Sequence, residues 1–304
     1  MRIVVFGAGM QGTLYGTRLA RVGHQVIFIA RGRRAQELRR NGAVIENVFT
    51  GTRMVSRVAV AEALHPEMTA DLCLVTVRRE QLAVAWDKVG TARGLAQVLI
   101  MVNHAGSVSP AFDTRDRNWS VLGFPGAAGS IEGGVDKYVE IPQQPTVIQA
   151  SAPHVAAAFR EAGFKVALVA DMPSWLCRHA VFITAIGGAL CESSMDAQRL
   201  GCDSERVYAF IRAVREGWAA MDRRGVGPAP WALRAIFQWV PSRFAVAYWS
   251  RLLRTQRGEY YFARHIRRAM KELAMLATDV RGLLSSEDTP TLSRLYAAID
   301  AAAE

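Results

Sequence analysis

Residues 1–12 read MRIVVFGAGMQG, and residues 13–22 continue TLYGTRLARV. The β-branched run from Arg2 to Phe6 reads as a buried strand. It leads directly into Gly7-Ala8-Gly9-Met10-Gln11-Gly12, and an apolar helical pattern follows through Leu14, Leu19 and Val22. Strand, glycine turn and helix in that order are the setting in which G-x-G-x-x-G marks a dinucleotide-binding turn. In that reading Gly7 permits the tight turn, Gly9 lets backbone approach a pyrophosphate, and Gly12 lets the helix pack close to the strand. The helix N-terminus presents its N–H groups to the phosphates. The competing reading is a glycine-rich turn with no ligand.

The next strand, Gln25 to Ala30, ends in Arg31-Gly32-Arg33-Arg34. An NAD-binding unit places an acidic residue about 20 residues past the glycines, where it bonds the ribose 2′-hydroxyl. Arg31 lies nineteen residues after Gly12, and no Asp or Glu is near it. A guanidinium there suits a 2′-phosphate through paired, charge-assisted bonds. The expected cofactor is therefore NADP(H), with Arg31 as the selecting residue. At least one of Arg33 and Arg34 is expected simply to open a solvated helix.

Going outward, 304 residues suit two domains of ordinary size, and 51% hydrophobic residues are enough for real cores. The formal charge of +10 is compatible with nucleic acid, anionic lipid or acidic metabolites as partners. No Lys/Arg block reads as a nucleic-acid arm. The excess reads instead as a solvated surface plus an anion-binding cleft, with no nucleic-acid partner expected. Cys73, Cys177, Cys191 and Cys202 show no C-x-x-C or metal spacing, so no metal site is expected; Cys73 lies within a strand and Cys191 in an apolar run, which fits reduced, buried thiols in a cytoplasmic protein. The first strand begins almost at Met1, so no signal peptide is expected. The apolar run Ala180 to Cys191 is too short to span a bilayer, and Trp231 to Leu253 is broken by Arg234, Pro241, Arg243 and Arg251. No membrane partner is expected.

The N-terminal half alternates strands and helices. A helix near Ala35 to Arg40 precedes short strands at Ala43 to Val48 and Met54 to Ala61. Asp71 to Val77, Gln97 to Val102, Ser120 to Phe124 and Thr146 to Ala150 read as buried strands, which together imply a mostly parallel sheet covered on both faces. Gly123 to Val139 is glycine-rich and reads as a loop or hairpin over the cofactor. Near residue 171 strand signals stop. Helices are expected at Pro173 to Glu192, Ser204 to Arg223, Pro230 to Leu253 with a break at Pro241, Gly258 to Leu284, and Pro290 to Ala302, the last capped by Thr289 with Pro290 at its first position. The expected fold class is α/β plus all-α: a Rossmann dinucleotide domain over 1–170 and a helical substrate or dimerisation domain over 171–304.

The whole chain resembles the ketopantoate reductase (2-dehydropantoate 2-reductase) family. GAGMQGTLYGTRLARVGHQVIFIARG, residues 7–32, looks like that family's first β-α-β unit, with Arg at the end of strand two. Leu74-Val75-Thr76-Val77-Arg78-Arg79-Glu80-Gln81 resembles its strand-end motif, in which a Lys and then a Gln face the cofactor. Gln81 matches, and Arg78 stands where the family has Lys. Val102-Asn103-His104-Ala105-Gly106 is similar to its Gln-Asn-Gly loop, with Asn103 at the position near the nicotinamide and His104 in place of a glycine. The resemblance implies NADPH-dependent reduction of a 2-oxo acid to a 2-hydroxy acid, in the cleft between the domains. Gly7 to Gly12, Arg31, Val77, Arg78, Gln81 and Asn103 are its cofactor positions. Arg257-Gly258-Glu259 resembles a Thr-Glu segment, so Glu259 matches a Glu that contacts ribose or substrate, whereas Arg264-His265 replaces the Asn-Gly that follows.

The second domain departs from the family. Its first helix usually reads Trp-x-Lys-Leu-x-x-Asn-x-x-x-Asn before a small-residue turn and Ala-Leu. With Trp175 and Ala189-Leu190 setting the register, the catalytic Lys becomes Cys177 and the two Asn become Val181 and Ala185. A neutral thiol carries no positive charge and is a poor acid. Reduction of an anionic carbonyl compound still needs a cation for the carboxylate and a proton donor for the new hydroxyl. Arg178 is the candidate clamp, and His104, His179 and His265 are the candidate acids. The bland alternatives are an outer helix face for His179 and a solvated basic face for His265. Trp231, Phe237, Trp239, Phe244, Tyr248 and Trp249 read as helical core, with an apolar substrate pocket or a homodimer surface as other uses. Two function classes stay open: an active NADPH-dependent reductase, and an NADP(H)-binding sensor or partner protein that no longer reduces.

Overall fold

A computed structural model describes residues 1–105, 119–229 and 231–303. Gly106 and Pro230 lie outside the described residues, as does the side chain of Trp231. Two compact units account for the chain. One contains Met1–Val102 and the described residues up to Met172; the other runs from Pro173, and Asn103, His104 and Ala105 group with it.

The first unit follows the order β1 (Arg2–Phe6), α1 (Met10–Arg21), β2 (Gln25–Ile29), α2 (Gly32–Asn41), β3 (Ala43–Asn47), β4 (Arg53–Ser56), β5 (Ala59–Ala61), β6 (Leu72–Val75), α3 (Leu82–Thr91), β7 (Val98–Ile100), β8 (Ser120–Phe124), β9 (Ala127–Glu132), β10 (Val135–Glu140), β11 (Thr146–Gln149), α4 (Pro153–Glu161) and β12 (Val166–Val169). Eight strands form one sheet in the order β12-β11-β8-β7-β6-β1-β2-β5. Its pairings are parallel except β8 with β11.

The strand period of two divides the apolar residues between its faces. Ile3, Val5, Leu72 and Leu74 join Leu14, Tyr15 and Leu19 of α1 and Val155 and Phe159 of α4 in one core. Val4, Cys73, Val75 and Ile100 join Leu82, Trp86 and Val89 of α3 in the other. A parallel sheet buried on both faces is the Rossmann architecture, and the helices that follow from Pro173 make the second domain all-α.

One local expectation changes and another is resolved. Met54 to Ala61 is not one strand: β4 pairs antiparallel with β3, whereas β5 pairs parallel with β2 in the large sheet. The glycine-rich stretch is a hairpin, β9 with β10, turning at Gly133 and Gly134, both at positive φ. Rather than standing alone as a cover, it pairs through β10 with β3 in a second sheet of order β4-β3-β10-β9.

The second unit contains α5 (Met172–Glu192), α6 (Ala197–Cys202), α7 (Ser204–Arg223), α8 (Trp231–Arg234), α9 (Ser242–Leu253), α10 (Gln256–Gly258), α11 (Arg264–Arg268), α12 (Met270–Leu283) and α13 (Pro290–Ala303). Starting at Met172, α5 is long and apolar enough by length and composition to cross a membrane, which the shorter run from Ala180 did not reveal. Most of it is buried inside the molecule, as a core helix is. Its Phe182 packs among Phe210, Phe237, Trp249 and Phe262. Phe237 and Trp249 are thus core, but Trp239, Phe244 and Tyr248 are exposed. The expected helix over 258–284 is interrupted at Ala269, which leaves helical geometry at φ −128°. Pro290 does begin α13. Its cap, however, is Glu216 of α7, which accepts from Thr291 N at 2.8 Å, whereas the Thr289 hydroxyl donates to the Ser285 carbonyl.

Candidate dinucleotide site

The glycine turn joins the carboxyl end of β1 to α1. Gly7 sits at φ +111°, a left-handed region that favours glycine, and a Cβ there would stand 3.0 Å from the Thr76 backbone. At Gly12 a Cβ would fall 2.1 Å from the Gly7 carbonyl oxygen and 2.5 Å from Thr76 Oγ1. Close packing of α1 on β1 and β6 therefore requires glycine at 12. Gly9 is different: a Cβ there would meet nothing within 4 Å. The packing does not need its glycine, and the space beside it is the cradle a pyrophosphate requires. No side chain caps α1, and its first turn carries no acidic residue, so its N–H groups suit an anion.

Neighbouring strand ends converge on this turn. Thr76, just past β6, donates its hydroxyl to the Gly7 carbonyl at 2.8 Å. Val77 lies against Gly7. Arg78 and Gln81 follow on an exposed turn in which Gln81 Oε1 accepts from Arg78 N at 3.3 Å. On the other side of β1, Arg31 stands exposed past the end of β2, as the N-cap residue of α2. Gln11 reaches away from the turn, donating to the Ala127 carbonyl at 2.6 Å. Asn103 is three residues beyond β7, and its Oδ1 is buried with no hydrogen-bond partner among the described residues. His104 beside it is buried. Open α/β sheets bind ligands at the carboxyl ends of their strands, where these residues lie. A nicotinamide dinucleotide fits the donor set.

Of the two arginines at the start of α2, one is solvated as expected and the other has a structural part that the sequence did not show. Arg33 is solvated, at 91% side-chain exposure, but Arg34 turns inward. Its Nε donates to the Ala8 carbonyl at 2.8 Å, and its Nη2 donates to Thr13 Oγ1 at 2.7 Å and to Asp136 Oδ2 at 2.6 Å. Asp136 is fully buried on β10. Burial pushes its carboxyl up to about 7, against the pull of Arg34. An arginine that pins the glycine turn from behind leaves no local sequence signal, because its partner is 102 residues away.

The candidate catalytic side chains of the second unit have other occupations. Arg178 is 1% exposed and donates to the carbonyls of Gly227, Trp218 and Val226 at 2.7 to 2.9 Å and to Asp222 Oδ1 at 2.6 Å. Those bonds tie α5 to the end of α7, so Arg178 is a structural arginine rather than a clamp for substrate. His179 does not lie on an outer face. It is buried, stacked on Trp175 at 4.9 Å between ring centroids, and burial lowers its pKa to about 3. An imidazole neutral at pH 7 cannot serve as a cationic acid. His265 is exposed on α11, and the Glu259 carboxylate pairs with Arg267. Cys177, Val181 and Ala185 are all buried, and Val181 packs against Gly217 of α7. Cys73 is buried as expected, whereas Cys191 is only half-buried; Cys177 is buried and Cys202 exposed.

Residues 3–129 match the family model ApbA, ketopantoate reductase PanE/ApbA. Over those residues, fewer than half of the chain, it is similar to the ketopantoate reductase family. Solved structures share the fold along the full length. A PanE/ApbA family ketopantoate reductase from Ralstonia eutropha JMP134 is 19% identical, aligned over 100% of this chain and 98% of its own, with a TM-score of 0.75. The 2-dehydropantoate 2-reductase of Geobacter metallireducens GS-15 is 18% identical over 99% and 100%, with a TM-score of 0.74. D-mandelate dehydrogenase, solved with NADH and anilino(oxo)acetate, is 15% identical over 100% and 98%, with a TM-score of 0.77. At these identities the ketopantoate reductase likeness outside 3–129 is one of fold.

Proposed function

We propose that this chain is an NADPH-dependent oxidoreductase that reduces a 2-oxo acid or related carbonyl compound to the hydroxy compound. The observation that carries this reading is the end of β1, where space is open at Gly9 and closed at Gly12, with Arg31 exposed at the end of the adjacent strand. The match of residues 3–129 to the ketopantoate reductase family model supports it, as does the binding of NADH by the D-mandelate dehydrogenase of the same fold.

The reduced nicotinamide of bound NADPH supplies the hydride. The chain's own residues do the rest. The N–H groups at the start of α1 hold the pyrophosphate, and the Arg31 guanidinium takes the 2′-phosphate through charge-assisted bonds. The unpaired Asn103 Oδ1 is an acceptor for the carboxamide of the cofactor. Arg78 supplies positive charge at the end of β6, where the family has Lys. His104 is assigned as the proton donor to the new hydroxyl, since Arg178 and His179 are committed to the helical core.

A second reading has its own observation. Cys177, Val181 and Ala185 put no charge and no amide on the α5 positions where the family has Lys and two Asn, and all three are buried. That favours a protein of the same fold that binds NADP(H) as a sensor or partner subunit without reducing anything. A panel of 2-oxo acids with NADPH, followed by loss of nicotinamide absorbance, separates the two. Turnover of any member supports the reductase. No turnover across the panel, with NADPH still bound, selects the sensor.

A further inference from the structure

The surplus positive charge of the chain is concentrated in one stretch. Between Asp222 and Glu272 there are eleven Lys and Arg residues and a single acidic one, Glu259; the rest of the sequence is balanced, with 26 of each sign. From Arg223 to Gly258 no Asp or Glu occurs at all. The formal +10 is therefore a local property, which a reading of overall charge does not disclose.

The same stretch carries exposed aromatic rings. One face of α9 is buried through Ala245, Trp249 and Leu253. Its opposite face presents two rows at helical spacing. Phe244 and Tyr248, four residues apart, form an aromatic row at 54% and 41% exposure. Beside it run Arg243, Ala247 and Arg251, all exposed. Just before the break at Pro241, Trp239 adds a third ring at 63% exposure. Guanidinium groups lie over two of these rings, Arg234 over Trp239 at 5.6 Å and Arg243 over Phe244 at 4.8 Å.

Exposed Trp, Tyr and Phe beside arginines, with no carboxylate on the helix, is the pattern of a helix lying in a membrane interface. The rings enter the headgroup boundary, where Trp and Tyr are favoured, and the arginine stems extend along apolar surface while their charges stay wet. We propose that the outer face of α9, together with Trp239, is an attachment surface for an anionic lipid bilayer, holding the protein on the membrane without crossing it. A second copy of the chain fits this face poorly, because a two-fold contact would set arginine rows against each other. Duplex nucleic acid, its bases already stacked, would use the charge but gives no role to the Phe244 and Tyr248 row along the helix.

The test uses the full chain and lipid vesicles in a flotation assay. Binding is expected to vesicles of phosphatidylcholine with about one-third phosphatidylglycerol, and not to phosphatidylcholine alone. Raising the salt to about 1 M, where the screening length is about 3 Å, is expected to release it. The variant R243Q/R251Q is expected to bind about 25-fold more weakly, at about fivefold per basic residue near an anionic surface. W239A/F244A/Y248A keeps every charge and is expected to lose at least about tenfold. Circular dichroism confirms that both variants stay folded, as exposed positions allow. The proposal is overturned by any of three results: no flotation with anionic vesicles, flotation unaffected by the aromatic variant, or self-association in solution that the aromatic variant dissolves. Binding to duplex DNA that outcompetes the vesicles and survives the aromatic variant also overturns it, in favour of nucleic acid.

Discussion

Arg34 donates to Asp136 at 2.6 Å and, with the same guanidinium, to the backbone carbonyl of Ala8 inside the glycine turn. A buried ion pair from α2 and β10 thus fixes the loop on which the proposed cofactor site is built. Removing one partner of a buried pair costs about 3–5 kcal/mol because the other charge is left without compensation. Arg34→Ala is expected to lower stability by about that amount and to weaken NADPH binding even where the protein remains folded. Denaturant unfolding and a fluorescence titration of NADPH measure the two effects; loss of neither would remove Arg34 from the site.

The same aspartate links stability to pH. Its folded pKa of about 7 lies above the ordinary carboxylate value, so between about pH 4 and 7 the folded state binds more protons than the unfolded one. This contribution to stability is present at acid pH and is lost as the pH rises to about 7. Asp136→Asn cannot titrate and is expected to flatten that slope. Unfolding free energies at several pH values across the window check it, with a slope unchanged by the substitution as the contrary result.

Two glycines of the turn should separate folding from binding. Gly12→Ala drives a methyl into the Gly7 carbonyl and Thr76, and such overpacking costs about 1–3 kcal/mol. Gly9→Ala enters open space, so the melting temperature is expected to stay near wild type while NADPH affinity falls. Thermal melts with and without NADPH distinguish them. A Gly9→Ala protein that binds NADPH as well as wild type would move the pyrophosphate elsewhere.

Arg178 and His179 are expected to behave as structural residues. Arg178→Ala leaves the buried Trp218 carbonyl and the half-buried carbonyls of Val226 and Gly227 without their donor and is expected to destabilise the helical unit by about 3 kcal/mol, with any turnover by the folded fraction retained. His179, neutral when folded, must take up a proton on unfolding below its ordinary value. It therefore contributes stability above about pH 6.5 that is lost as the pH falls towards about 3. His179→Phe is expected to remove this acid loss, the opposite trend to that of Asp136. Acid unfolding curves of the two variants are the measurement.

The division between what could be read from the residues and what could not follows from distance along the chain. The β1 turn and Arg31 are local: strand, glycines, helix and next strand follow one another within the first 31 residues. The parallel sheet and the change to helices near Pro173 were legible for the same reason, as runs of one periodicity. Arg33 and Arg34 are indistinguishable in that local pattern; only Asp136, brought alongside by the pairing of β10 with β3, draws Arg34 inward. Arg178 misled in a similar way. A polar residue in an apolar helix reads as functional until its carbonyl partners, 40 to 49 residues further on, come into view. Trp239, Phe244 and Tyr248 share the composition of the core rings Phe237 and Trp249, and which rings face outward depends on how α9 is seated.

The central claim, that the first unit is an NADP(H) site selected by Arg31, is tested most directly by equilibrium titration of wild type and Arg31→Ala with NADPH and NADH. Wild type is expected to bind NADPH at least about tenfold more tightly than NADH, as charge-assisted bonds to the 2′-phosphate require. Arg31→Ala is expected to erase most of that preference while leaving NADH affinity little changed. Equal affinities for the two cofactors in wild type, or a preference untouched by the substitution, would contradict it.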